Sequence, residues 1–89
     1  MIEREVAIKN RLGLHARAAA KLVQTASRFK SSVKIRKNGE EVDGKSILGI
    51  LLLAASQGTR IVLTINGEDE AAAFDAVQDL IARSFDEEE

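Results

Sequence analysis

Ser32-Val33-Lys34-Ile35-Arg36-Lys37-Asn38-Gly39-Glu40-Glu41-Val42 is the stretch that decides the fold. Residues 32–37 alternate, with Val33 and Ile35 on one face and charged residues between them, the pattern of a half-buried strand. Asn38-Gly39 supplies the two positions that a type I′ turn needs at positive φ, and residues 40–42 form a short return strand. Upstream, residues 16–28 carry Ala19, Leu22, Val23 and Ala26 at helical spacing, and residues 2–8 alternate with Ile2, Val6 and Ile8 on one face. Downstream, residues 46–53 read as a short apolar helix with Ser46 as N-cap, stopped by Gln57-Gly58. Residues 60–65 form a strand with Ile61, Leu63 and Ile65 inward, and Asn66-Gly67 turns the chain. Glu68-Asp69-Glu70 then open a last helix running to Phe85, with Ala73, Phe74, Val77, Leu80 and Ile81 buried. The order is βαββαβα: an α+β domain in two layers, an antiparallel sheet with helices on one face.

The 89 residues hold one such domain, residues 1–85, followed by an acidic tail, residues 86–89. Hydrophobic residues make up 45% of the chain, but 13 of them are alanine, so the core is thin per residue. The absence of Cys excludes disulfides and thiolate metal sites, and a single His excludes a multi-histidine centre, so no metal or cofactor is expected. No Trp or Tyr and three Phe argue against a base-stacking surface, hence against nucleic acid. The longest apolar run, residues 47–55, is too short for a membrane span, and the start of the chain has no apolar leader. Charge is uneven: residues 1–45 hold 11 Lys/Arg against 5 Asp/Glu, and residues 46–89 hold 2 against 9. A basic first half suits an anionic ligand or an acidic partner, and equally an uneven solvated surface.

Two stretches carry candidate chemistry. In Gly13-Leu14-His15-Ala16-Arg17-Ala18-Ala19, His15 stands where a loop enters a helix. As N-cap it faces the backbone N–H groups of Ala16, Arg17 and Ala18, which have no partner within the helix. Those donors and the helix dipole form an anion cradle, and the Arg17 guanidinium adds a planar fork suited to phosphate oxygens. An imidazole beside such a cradle suits a transient phosphohistidine. The spacing equally accommodates a histidine that only caps a helix. In Gly44-Lys45-Ser46-Ile47-Leu48-Gly49-Ile50-Leu51, Ser46 is either a plain N-cap or an acceptor of phosphate at a helix start. The apolar residues after it are either buried or a docking patch.

Taken together, the two stretches resemble HPr, the histidine-containing phosphocarrier family of the phosphoenolpyruvate-dependent sugar phosphotransferase system. The motif around the family's active histidine is matched by Gly13, Leu14, His15, Ala16 and Arg17. Its regulatory-serine motif is matched by Lys45, Ser46, Ile47, Leu48 and Gly49, in register, and the resemblance covers residues 2–85. It implies an open-faced β-sandwich, four antiparallel strands with three helices on one face. It implies a cytoplasmic monomer that is a phosphoryl carrier and not an enzyme. His15 would take a phosphoryl group at Nδ1 from phosphorylated enzyme I and pass it to IIA domains of sugar permeases. Arg17 and the N–H groups of Ala16, Arg17 and Ala18 would hold the phosphate. Ser46 would be the regulatory site for an HPr kinase/phosphorylase. Ile47, Leu48 and Leu51 would belong to the docking surface, framed by Lys21, Gln24 and Lys45.

The sequence departs from the family pattern in two places. Position 18 is Ala where the family usually has Pro, which leaves open the paralogous carrier of the nitrogen-related regulatory branch. The acidic tail has no role in the pattern beyond solubility. Rival readings outside the family are a small ligand-sensing regulatory domain on a ferredoxin-like sheet, an acyl-phosphate hydrolase and an RNA-binding module. The first leaves His15-Ala16-Arg17 unexplained, and the last lacks an aromatic pair on a strand.

Overall fold

The hairpin forms in the expected register. In the computed structural model, which describes residues 1–87, strand β2 (Ser32–Lys37) pairs antiparallel with β3 (Glu40–Asp43), Ile35 opposite Val42 and Lys37 opposite Glu40. Asn38 and Gly39 both take positive φ at the turn, 50° and 85°. The other edge of β2 pairs antiparallel with β4 (Arg60–Asn66), which pairs antiparallel with β1 (Ile2–Ala7). The strand order is β1-β4-β2-β3, so the first and last strands in sequence lie side by side. Helices α1 (Ala16–Ala26), α2 (Ile47–Leu53) and α3 (Glu70–Ala82) complete the βαββαβα order.

Strand alternation decides which face the helices cover. Val33, Ile35, Ile61, Leu63 and Ile65 are fully buried and meet Ala18, Ala19, Leu22 and Ala26 of α1 and Ala73 and Val77 of α3 in the core. The small residues of α1 allow that helix to lie close to the sheet. On the other face Glu3, Glu5, Glu41 and Asp43 are exposed, so the sandwich is open.

Two helices differ in extent from the sequence reading. Helix α1 ends at Ala26, leaving Arg28 outside it. Helix α2 ends at Leu53, as expected, but Gln57-Gly58 is not what stops it: Ala54 turns left-handed at φ 55° and Lys37 Nζ donates to the carbonyls of Leu53 and Ala54, 3.2 Å each. A cation on the last carbonyls of a helix satisfies orphan acceptors and the dipole together. Helix α3 starts at Glu70 and stops at Ala82, short of Phe85. Ser84, Phe85 and Asp86 follow as a single 3-10 turn with φ of 54°, 56° and 61°. Each left-handed non-glycine residue costs about 1–2 kcal/mol. Full burial of the Phe85 ring offsets part of that cost.

Asp69, just before α3, makes no side-chain bond to the helix it precedes. Its carboxylate instead accepts from the Ser31 hydroxyl and from the backbone N–H of Lys30 and Ser31, 2.9 Å each, tying this corner to the start of β2. The Ser31 hydroxyl first, then these N–H groups, hold the Asp69 carboxyl down at about 2.

Candidate functional site

The loop before α1 is set by Gly13. Its φ is +67°, and a Cβ there would come within 2.4 Å of the Ala55 carbonyl oxygen and 2.8 Å of Ser56 Cα. Glycine alone fits both the angle and the approach. The next residue seals the contact: Leu14 N–H donates to Ala55 O at 2.8 Å, and its side chain is buried. The loop is thereby fastened to the segment after α2, and the chain enters α1 at a fixed angle.

His15 is the N-cap of α1, with extended backbone, and Arg17 N–H donates to its Nδ1 at 3.3 Å. The first bond within the helix is Ala19 N–H to His15 O, 2.8 Å, so the N–H groups of Ala16, Arg17 and Ala18 precede the helical ladder. No acidic side chain lies in that first turn. The Nδ1 edge of the ring thus faces a helix N-terminus whose own first turn supplies no counter-charge. The ring is 29% exposed. The Arg17 side chain is exposed and lines an open groove with Leu12, Lys21, Asp86 and Glu87.

The other edge of the ring meets a residue that the sequence reading did not single out. Glu87 Oε2 lies 2.5 Å from His15 Nε2, and Glu87 Oε1 accepts from Asn10 Nδ2 at 2.5 Å. Asn10 is fully buried and also donates through Nδ2 to Gly13 O at 2.7 Å. Burial pushes the Glu87 carboxyl up, but the hydrogen bonds from Asn10 and His15 and the positive fields of His15 and Arg17 outweigh it, leaving it below its ordinary value. The stretch read as a solubility tail therefore divides: Asp86 completes the left-handed turn, Glu87 reaches the His15 ring, and residues 88–89 lie outside the described residues.

The second motif forms its own helix terminus. Ser46 is the N-cap of α2, its Oγ accepting from Gly49 N–H at 3.1 Å. This seven-residue helix buries Ile50 and Leu53 and leaves Ile47, Leu48, Leu51 and Leu52 exposed. Leu52, at 70%, and Leu12, at 64%, are exposed leucines that the sequence reading omitted. Of the three framing residues, Gln24 is exposed. The ammonium groups of the other two bind carbonyls within the fold, Lys21 that of Phe85 at 2.7 Å and Lys45 that of Phe29 at 2.8 Å. Among the described residues, no group of three or more metal-ligating side chains converges, and no helix is long and apolar enough to cross a membrane.

Residues 2–83 match the family model described as the PTS HPr component phosphorylation site. The chain is 52% identical over 88 residues, 99% of both proteins, to phosphocarrier protein HPr of Xylella fastidiosa. The chain belongs to the HPr family. The crystal structure of HPr-C-His from Thermoanaerobacter tengcongensis is similar over the whole of both chains, with a TM-score of 0.96 and 47% identity. The HPr dimer from the same organism is similar over 98% of this chain and 100% of its own, with a TM-score of 0.79 and again 47% identity. Membership makes the chain a phosphocarrier of the phosphotransferase system, and its open-faced sandwich is the fold of the solved HPr structures.

Proposed function

We propose that His15 accepts a phosphoryl group at Nδ1 from phosphorylated enzyme I and passes it to IIA domains of sugar permeases. The observation that carries this reading is the placement of Nδ1 against the start of α1, with Arg17 beside it. Nδ1 accepts a hydrogen bond there, so in the neutral ring it bears a lone pair and the proton belongs on Nε2. Attack on phosphorus then brings three anionic oxygens to the helix terminus. The Arg17 N–H exchanges the ring nitrogen for one of them, the N–H groups of Ala16 and Ala18 stand beside it, and the guanidinium closes over the group.

Ser46 is the regulatory acceptor in this reading, served by an HPr kinase/phosphorylase. A phosphate there would be favoured by the α2 terminus and would place negative charge beside the exposed apolar face of Ile47, Leu48 and Leu51. That face, with Gln24, is where enzyme I and IIA domains dock, and the carrier works as a cytoplasmic monomer. Ala18 in place of the usual Pro supports a second reading, the nitrogen-related branch. Transfer from that branch's own enzyme I paralogue in preference to the sugar-branch enzyme would establish it.

Incubation with enzyme I, Mg²⁺ and phosphoenolpyruvate tests the main reading. The parent should gain a phosphate that is stable to base and labile to acid, and His15→Ala should gain none. Phosphorylation of His15→Ala on another nitrogen would refute it.

A further inference from the structure

We propose that Glu87 is a positioning residue for His15: its carboxylate keeps the ring proton on Nε2 and so reserves Nδ1 for the phosphoryl group. This rests on the reading of His15 as the phosphoacceptor. The two edges of the ring have opposite partners, an N–H donor from Arg17 at Nδ1 and a carboxylate acceptor from Glu87 at Nε2. Only one neutral tautomer satisfies both.

The carboxylate is itself fixed. Its second oxygen is held by buried Asn10, whose amide also grips Gly13 in the loop that carries His15. The chain reaches this point through three left-handed residues, anchored by the buried Phe85 ring and by Lys21 on the Phe85 carbonyl. The Glu87 side chain is 10% exposed, so its contact with the ring is little diluted by water.

The transfer step balances without a proton change at His15. The Nδ1 lone pair forms the new N–P bond, and the bond from phosphorus to the donor atom breaks with its electron pair returning to that atom. The ring is left positive with its proton still on Nε2, facing the Glu87 carboxylate. Transfer onward is the reverse.

Three variants and two readouts test this. In the parent, the Nε2 proton should be visible by NMR as a far-downfield, exchange-protected signal. Phosphoramidate, a small donor that imposes no docking geometry, should phosphorylate Nδ1. In Glu87→Ala the protected signal should vanish, and phosphoramidate should give a mixture of Nδ1 and Nε2 products. Enzyme I-dependent transfer should fall roughly tenfold, the worth of one hydrogen bond to a charged group, in a variant that stays folded and loses thermal stability only through the Asn10 bond. Glu87→Gln keeps an oxygen acceptor without the charge and should fall between. A Glu88→Ala/Glu89→Ala variant should match the parent. An unchanged nitrogen preference and transfer rate in Glu87→Ala would overturn the assignment, as would the same losses in the Glu88→Ala/Glu89→Ala variant. The NMR signal and the phosphoramidate product are read without enzyme I. A parent that enzyme I fails to phosphorylate would therefore sink the carrier reading while Glu87's hold on the ring is measured separately.

Discussion

The starts of α1 and α2 are built on the same physics and equipped differently. Each helix is capped by a side chain that accepts an N–H of its own first turn, His15 Nδ1 from Arg17 and Ser46 Oγ from Gly49. At Ser46 the parts are local: cap, donor and the following apolar residues all lie within residues 46–52. At His15 the cap bond is longer, 3.3 Å against 3.1 Å, and the surroundings come from across the chain. Ala55 receives the loop, Asn10 braces it, and Glu87 meets the ring. A helix terminus alone makes a cap. What distinguishes the His15 end is distant groups that fix the ring, plus an exposed cation beside it.

Removing the anchor of the distant groups should have the largest effect. Phe85→Ala deletes a fully buried ring and should destabilise by about 3–5 kcal/mol in denaturant unfolding. In the fraction that stays folded, the His15 ring should become more exposed while the Ser46 cap is untouched. Equal disturbance at both helix starts would erase the distinction between them.

Arg17→Ala should leave stability within about 0.5 kcal/mol, because the side chain is exposed, and slow transfer from enzyme I roughly tenfold. Stopped-flow transfer kinetics on a variant of unchanged thermal midpoint measure this. Parent-like kinetics would remove Arg17 from the phosphate site.

At the other terminus, Ser46→Ala should cost about 1 kcal/mol as a lost N-cap and leave His15 phosphorylation at the parent rate. Ser46→Asp should slow it at low salt, and added salt should narrow the gap. If the Asp variant matches the parent at low salt, Ser46 is a helix cap only.

Both helix starts were legible in the sequence because the parts that define them are neighbours in the chain. A cap, its N–H donors and an apolar periodicity fall within a few residues, and so do the turn at Asn38-Gly39 and the alternation of β2 and β4. The C-terminal stretch was not legible. Nothing in a run of four acidic residues marks Glu87 among its neighbours, and Asn10 reads as an ordinary loop residue. The left-handed turn at residues 84–86 contains no glycine, so helix periodicity ran on to Phe85 without a stop signal. These contacts join residues more than 70 positions apart, beyond the reach of local pattern.

Asp69 offers a smaller effect remote from both helix starts. Its folded carboxyl, at about 2, lies below the value of about 3.9 in an unfolded chain, so the folded state binds its proton less readily. Its contribution is therefore complete above the unfolded value and is lost as pH falls toward about 2. Asp69→Asn should flatten this acid limb in thermal melts from about pH 5 to 2 without altering transfer from enzyme I. An unaltered acid limb would mean that the bonds from Ser31 and Lys30 contribute little to folding.

An HPr carries phosphate rather than consuming it. A pulse–chase measures this directly: load His15 from labelled phosphoenolpyruvate through enzyme I, remove the donor, and add a IIA domain. Label should leave this chain only as fast as it appears on the IIA domain, and without acceptor it should stay on His15. Rapid release as inorganic phosphate, at a rate indifferent to the IIA domain, would contradict it.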